Sequence, residues 1–217
     1  MPIKLIDCEI THDPMSELVI CEGDSALGSI KSSRDSKYQA VFPLKGKPIN
    51  TCKENIKRIM ANEEVQNIIK ALDCGVGEDA NSDEARYQIV SIAADADPDG
   101  QAICCLTYAL FWNLFPDFVK KGRLYKITTP LFVVNVGKEK YPALNEEERD
   151  ALIQKYGKKI TNIKRVKGLG ELNKDEMHEY GMSRETRVIT QITLEDIEAA
   201  QKMLDITLSD DTEARRE

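Results

Sequence analysis

The sequence predicts an α/β fold with a central, mostly parallel sheet flanked by helices. Short apolar runs alternate with helical patterns along most of the chain, which is typical of strand–helix–strand units. Residues 89–94 have the length and residue types of a strand buried on both faces, as expected in a parallel sheet. Acidic residues directly follow two of the runs, at the position where open α/β sheets hold their ligands.

Composition and charge limit the class of protein. With 41% hydrophobic and 31% charged residues, the 217-residue chain has an ordinary globular composition. It has no apolar run of roughly 20 residues and no signal-peptide pattern, so we expect a cytoplasmic protein without membrane contact. Six cysteines without a Cys-x-x-Cys pair, beside two histidines, disfavour a zinc site or disulfide framework.

The charge is unevenly distributed. A net charge of −7 argues against a free-standing nucleic-acid binder. Residues 29–58, however, hold eight basic side chains against two acidic ones. This bias is consistent with a phosphate-bearing substrate held locally, and an ordinary solvated surface is the alternative.

The first half of the chain contains three strand patterns and two helix patterns. Asp13 and Pro14 mark a turn that ends a short lead-in segment. A glycine turn at Gly23 separates the first strand from a helix, for which Asp24 or Ser25 is a candidate cap. The predicted elements are a strand at 17–21, a strand running into a basic loop at 40–50, a helix at 54–72 and a strand at 87–94.

The second half continues the alternation. Pro116 is expected to break a buried helix, and Thr129–Pro130 to bend a strand. The predicted elements are helices at 102–118, 144–156, 174–180 and 194–208, and strands at 122–136, 160–166 and 186–193. We therefore divide the chain into a lead-in segment (1–15), a core (16–135), a helical insertion (136–160) and a C-terminal part (161–217) that ends in a tail helix.

Three aspartates at spacing two, Asp95, Asp97 and Asp99, follow the strand at 87–94. Alternate residues of an extended segment share a side, so two or three of these acids can converge. Close carboxylates raise one another's pKa unless a cation lies between them, and Mg²⁺ is the expected occupant. A calcium EF-hand loop is disfavoured because its twelfth position, Leu106, cannot supply the bidentate Glu.

Two further sequence patterns extend this candidate site. Glu22 lies at the carboxyl end of the first strand, so it is expected to face the aspartates across one crevice if both strands belong to one parallel sheet. Lys45 and Lys47 flank Gly46, where the backbone can come close to a phosphate. A lysine-rich turn without a ligand is the alternative for the second pattern.

Four ordered motifs carry a resemblance to a known family. They are Glu-Gly-Asp-Ser-Ala from Glu22, Pro-Leu-Lys-Gly-Lys-Pro-Ile-Asn from Pro43, Asp-Ala-Asp-Pro-Asp-Gly from Asp95 and Lys-Gly-Leu-Gly-Glu from Lys167. From about Lys4 to Arg216, the chain resembles the Toprim metal-binding domain and following region of the B-type subunit of bacterial type II DNA topoisomerases, gyrase and topoisomerase IV. The resemblance implies a Rossmann-like Toprim fold.

The resemblance also implies the site residues. One metal ion would be held by Glu22 and Asp95 and a second by Asp95 and Asp97, with Asp99 supporting the cluster. Glu22, Asp95 and Asp97 would be catalytic, with Mg²⁺ as cofactor and Mn²⁺ as a substitute. The DNA-binding residues would be Lys45, Lys47, Asn50 and Lys167, with the loop 168–171 packed near the same cleft.

The implied activity is reversible double-strand DNA cleavage and religation by a tyrosine from a partner. The expected partners are double-stranded DNA, a tyrosine-bearing A-type subunit or domain, and an ATPase domain that uses ATP and is absent from this chain. We therefore expect a fragment or the product of a split gene that is inactive alone. The alternatives are a stand-alone Toprim metal nuclease or primase-like domain, and a catalytically inert scaffold.

Some positions differ from the bacterial pattern. Gln101–Cys104 replaces the usual Ser-His-Ile-Arg, Ala94 replaces a Thr, Leu27 replaces a Gly, and Pro98 lies inside the acidic motif. These differences indicate a divergent member, such as a phage or viral protein.

Overall fold

The structure, a computed structural model, describes residues 4–23 and 26–208. The candidate cap residues Asp24 and Ser25 and the tail at 209–217 lie outside the described residues. The strands are β1 Glu17–Glu22, β2 Gln39–Leu44, β3 Ile89–Ala93, β4 Leu124–Thr128, β5 Phe132–Val136, β6 Glu139–Ala143, β7 Ile160–Arg165 and β8 Val188–Gln191. The α-helices are α1 Leu27–Ser33, α2 Ile56–Ala61, α3 Glu63–Leu72, α4 Pro98–Leu114, α5 Pro116–Lys120, α6 Glu146–Tyr156, α7 Lys174–Met177 and α8 Leu194–Leu208.

Five strands form the central sheet in the order β2-β1-β3-β4-β8. β1 pairs in parallel with β2 and β3, and β3 pairs in parallel with β4. The last strand, β8, joins β4 antiparallel at the edge. The central strands β1 and β3 are buried almost throughout, as their apolar residues require. The predicted α/β class with a mostly parallel sheet is confirmed.

Helices cover both faces of the central sheet. Along β1, Leu18 and Ile20 point into one core cluster, which also contains buried residues of α3 and α4. Val19 and Cys21 point into a second cluster, which contains residues of α1 and α7. Because alternate residues of a strand face opposite sides, one apolar strand contributes to both cores.

A second, three-stranded antiparallel sheet has the order β6-β5-β7. The single bent strand predicted at 122–136 is two strands, β4 and β5, which belong to different sheets. The segment 136–160, predicted as a helical insertion, contains α6 and also β6, which pairs with β5. This segment therefore adds a strand to the second sheet before its helix α6.

The predicted helices at 54–72 and 102–118 differ most from those observed. The predicted helix at 54–72 is divided into α2 and α3 by Asn62, whose side chain accepts a hydrogen bond from the Val65 N–H and so begins α3. The predicted helix at 102–118 begins earlier, at Pro98, and is interrupted at Phe115 before α5. The last helix, α8, has the predicted bounds.

The lead-in segment contacts the edge of the central sheet. Ile6 and Val41 form an isolated antiparallel bridge with N···O distances of 2.9 and 2.8 Å. The Asp7 carboxylate accepts hydrogen bonds from Tyr87 and Arg86. Within the described ranges, no helix is long and apolar enough to cross a membrane.

Candidate metal and DNA site

Glu22 and Asp95 meet at the carboxyl edge of the central sheet. Glu22 is the last residue of β1, and Asp95 lies two residues beyond the end of β3, the parallel neighbour of β1. The Asp95 N–H donates to Glu22 Oε2 at 3.2 Å. The structure therefore places these two acids across one crevice, as the strand pattern predicts.

Asp97 and Asp99 lie at the start of α4, the helix that follows β3. Asp97 is its N-cap, and its Oδ1 accepts a hydrogen bond from the Gly100 N–H at 2.8 Å. Pro98 occupies the first turn, where a missing N–H costs nothing, so this departure from the family motif fits the helix start. Both aspartates are exposed, whereas Asp95 is half-buried.

The acids influence one another electrostatically. Partial burial and the nearby charges of Asp95, Asp97 and Asp99 raise the pKa of Glu22. The ammonium of Lys47 lies 2.8 Å from Asp99 Oδ1 and offsets part of this negative charge. Its hydrogen bond with Asp99 raises the pKa of Lys47. A cation in the crevice would also be favoured, because it would offset the negative charge of the clustered acids.

The donor chemistry of the crevice fits a hard divalent cation, because its acids supply only carboxylate oxygens. Within the described ranges, however, no group of three or more His, Cys, Asp or Glu side chains is arranged to hold a metal ion. The carboxylate of Asp95 accepts from the Leu169 N–H, and that of Asp97 accepts from the Gly100 N–H. For several of these carboxylates to bind the same metal ion, some of the side chains would have to rotate. The assignment of metal ligands therefore stays a prediction.

The predicted DNA-binding residues of the first half follow β2, the strand beside β1. Lys45 and Lys47 are exposed on a turn in which Gly46 has a φ of +77°, a conformation that favours glycine. The main-chain N–H of Lys45 donates to Glu64 Oε1 at 3.2 Å. Asn50 is half-buried, and its side-chain oxygen accepts from the Cys52 N–H. Of these residues, Lys47 contacts the acidic loop directly, through Asp99.

Lys167 lines a cleft beside the acidic loop. The cleft has a volume of about 420 Å³, and its lining includes Asp97, Pro98, Leu131, Arg165 and Lys167. Arg165, which is exposed at the end of β7, was not among the predicted site residues. Its position two residues before Lys167 is a signal that could have found it, because alternate residues of a strand share a face.

The glycine loop after Lys167 was predicted only in part. It was expected near the cleft, and the structure places its backbone directly against the Asp95 carboxylate, with the Leu169 N–H donating to Oδ1 at 2.8 Å. The Lys-Gly-Leu-Gly-Glu motif of residues 167–171 indicated the cleft but not which acid the loop would contact. Cys104, which stands where the bacterial motif has Arg, is buried in the core.

Comparisons with known proteins agree with this geometry. The family model described as the Toprim domain matches residues 17–127, and the model described as the carboxyl terminus of the DNA gyrase B subunit matches residues 158–217. The DNA gyrase B subunit of Thermotoga maritima is 38% identical over 217 residues, covering 100% of the chain and 34% of that protein. The DNA gyrase B subunit of Mycolicibacterium smegmatis is 41% identical over 223 residues, covering 100% of the chain and 33% of that protein. The chain thus spans about a third of the length of the curated relatives it matches.

Proposed function

Because the chain belongs to the Toprim family, and its last part matches the carboxyl-terminal model of the DNA gyrase B subunit, we propose that it is the metal- and DNA-binding part of a type II DNA topoisomerase. In this function, it supports reversible double-strand cleavage and religation within a larger assembly. The observation that carries the proposal is the contact between Glu22 and Asp95 at one edge of the sheet, with Lys47 paired to Asp99 and Lys167 lining the cleft beside Asp97.

We assign the metal to the carboxylates of Glu22, Asp95 and Asp97, with Asp99 in support and Mg²⁺ as the metal. A bound divalent ion would stabilise the negative charge that develops on the phosphate and leaving oxygens during transesterification. The contribution of the chain is to hold these acids at the ends of two adjacent strands, so that few groups have to move. Burial, and after it the charges of the neighbouring aspartates, raises the pKa of Glu22, and the contribution of those charges is consistent with this assignment.

We assign DNA contact to Lys45, Lys47 and Asn50, which follow β2, and to Lys167 in the cleft beside Asp97. Phosphate contacts of this kind position a duplex without reading its sequence. The exposed Arg165 lies beside Lys167 in the cleft and would add a planar donor for a phosphate. Lys47 would then exchange its ion pair with Asp99 for a DNA phosphate, an inexpensive change because both side chains are more than half exposed.

The nucleophile would come from a tyrosine on an A-type partner, and ATP would be hydrolysed by a separate ATPase part. The similarity to DNA gyrase B subunits over the full length of the chain supports a role within such an assembly. A phosphotyrosyl link to the 5′ DNA end forms as the 3′ oxygen leaves, and religation reverses both steps.

Plasmid cleavage tests the proposal. The chain is incubated with supercoiled plasmid and Mg²⁺ or Mn²⁺, alone and with the tyrosine-bearing and ATPase parts from the same source. Reactions are stopped with detergent and treated with protease. Cleavage only in the complete mixture, with protein on the 5′ ends, is the expected result.

Two other outcomes would contradict the proposal. Cutting by the chain alone, with free DNA ends, would indicate a stand-alone metal nuclease. No cleavage under any condition, with every part shown to be folded, would indicate an inert scaffold.

A further inference from the structure

The loop Lys167–Glu171 lies against the acidic loop. The Leu169 N–H donates to Asp95 Oδ1 at 2.8 Å. A β-carbon built on Gly168 would lie 2.6 Å from Asp95 Oδ2 and 3.0 Å from its Cγ. The carboxylate of Asp95 therefore rests on the backbone of residues 168 and 169, in a space that exists only because residue 168 has no side chain.

The backbone of this loop is itself firmly held. The Lys167 N–H donates to Glu171 Oε2, and the Glu171 N–H donates to Gly168 O, both at 3.0 Å. The side chain of Leu169 is 1% exposed and belongs to the second core cluster. Just beyond the loop, Ser29 Oγ donates to Leu172 O at 2.9 Å and ties the segment to α1. The Leu169 N–H is thus a fixed donor.

The main chain of Asp95 is fixed as well. Its N–H is bonded to Glu22, and its carbonyl oxygen would lie 2.0 Å from a β-carbon at Gly100, so helix α4 starts directly against it. Asp97 and Asp99, by contrast, are exposed. Of the three aspartates, Asp95 is the one whose main chain and carboxylate are both held by other parts of the fold.

We infer that the backbone of Gly168 and Leu169 is a positioning element that orients the Asp95 carboxylate for metal binding. One oxygen of the carboxylate is held by the Leu169 N–H, which leaves lone pairs on both oxygens for a cation. The inference rests on the proposed function, because it assigns a metal to Asp95. It extends that function by giving the glycine loop, 73 residues further along the chain, a specific role in it.

The experiment compares Gly168→Ala with Gly28→Ala in the full chain. Gly28 is a matched control because a β-carbon there would meet nothing within 4 Å. Mn²⁺ affinity is measured from the electron paramagnetic resonance signal of free Mn²⁺, and folding from far-ultraviolet circular dichroism. We expect Gly168→Ala to weaken Mn²⁺ binding by about 10- to 100-fold, the usual effect of removing a group that orients a ligand, and Gly28→Ala to leave it unchanged.

A second measurement leaves the loop Lys167–Glu171 unchanged and alters Asp95 instead. Amide hydrogen exchange of Leu169 is compared between the natural chain and Asp95→Ala. Loss of the acceptor should lower the protection of this amide about tenfold. The Glu171 amide, which is bonded to Gly168 O, serves as the reference and should keep its protection.

The outcomes separate the two proposals. Equal Mn²⁺ affinity in Gly168→Ala and the natural chain, or unchanged Leu169 exchange in Asp95→Ala, would overturn the positioning role and leave the proposed function standing. No Mn²⁺ binding by the natural chain, or binding unaffected by Glu22→Gln and Asp97→Asn together, would overturn the metal assignment and the positioning role with it.

Discussion

Among single residues, Asp97 holds the N-terminus of α4 in the structure and is also an acid to which we assign metal binding. The two roles can be separated, because asparagine caps helices about as well as aspartate but carries no charge. Alanine at position 97 cannot separate the two roles, because it removes both the helix cap and the assigned metal ligand.

We expect Asp97→Asn and Asp97→Ala both to abolish Mg²⁺-dependent DNA cleavage in the complete assembly. Their stabilities should differ. Asp97→Ala should lose about 1 kcal/mol of unfolding free energy through the missing cap, and Asp97→Asn much less. Urea unfolding and the plasmid cleavage assay measure the two effects. Unimpaired cleavage by either variant would contradict the role assigned to Asp97.

Gly100 illustrates a second constraint on single residues. A β-carbon at this position would lie 2.0 Å from the Asp95 carbonyl oxygen and 2.8 Å from its carbon, both of which are backbone atoms. We expect Gly100→Ala to lower the unfolding free energy by about 1–3 kcal/mol, because backbone must shift to relieve the overlap. Urea denaturation provides the measurement. A variant as stable as Gly28→Ala would show that the acidic loop can move freely.

Between elements, a buried ion pair joins the segment before β8 to the central sheet. Glu17, at the start of β1, is fully buried, and Arg187 is 3% exposed. Arg187 Nη1 lies 2.9 Å from Glu17 Oε1, Arg187 Nη2 donates to Glu17 Oε2 at 3.1 Å, and Gln39 donates to the same carboxylate at 3.0 Å. Burial alone would raise the pKa of Glu17, but the charge and hydrogen bond of Arg187, together with hydrogen bonds from Ser91 and Gln39, outweigh it and lower the pKa below its ordinary value.

This pair predicts non-additive stability effects. Arg187→Met should lower the unfolding free energy by about 3–5 kcal/mol, because Glu17 remains buried without its main partner. Adding Glu17→Gln should recover about 1–3 kcal/mol, since the buried group is then neutral. Urea unfolding of the two single variants and the double variant gives the coupling free energy between Arg187 and Glu17.

Arg184→Met is the control for this cycle. Its guanidinium lies 3.4 Å from Glu17 and is 26% exposed, so the expected loss is below about 1 kcal/mol. Equal losses in the two arginine variants, or strict additivity of Arg187→Met and Glu17→Gln, would contradict the assignment of the buried pair to Arg187.

Across the whole molecule, Glu176 connects the second sheet to the rest of the fold. This residue of α7 is 4% exposed and pairs with Lys140 of β6 at 2.8 Å and with Lys164 of β7 at 2.9 Å. Burial by itself would raise the pKa of Glu176, but hydrogen bonds from the two lysines and from the Asn173 N–H outweigh burial and hold the pKa at about 2.

The lowered pKa predicts a dependence of stability on pH. Because the folded value lies below the ordinary value of 4.5, the stabilisation is fully present above that pH and is lost as pH falls towards 2. Glu176→Gln should therefore lower the melting temperature at pH 7 and have a smaller effect at pH 3. Glu179→Gln, an exposed neighbour, is the control. A Glu176→Gln effect that is the same at both pH values would refute the linkage.

Local patterns in the sequence were sufficient to predict the alternation of strands and helices, the order of the main elements and the meeting of Glu22 with Asp95. Apolar periodicity reports which face is buried, and parallel strands bring their carboxyl ends to one edge. The helix break at Asn62 was missed, because the apolar spacing continues on both sides of this residue and its capping role depends on backbone geometry.

Residue patterns alone were therefore enough for the fold class and for the edge of the sheet where the acids gather. Three features became known only from the folded chain: β4 and β5 belong to different sheets, Arg187 pairs with Glu17, and the Asp95 carboxylate rests on the loop at Gly168. These contacts join residues far apart in the chain. They depend on how the packed layers meet, which no local periodicity encodes.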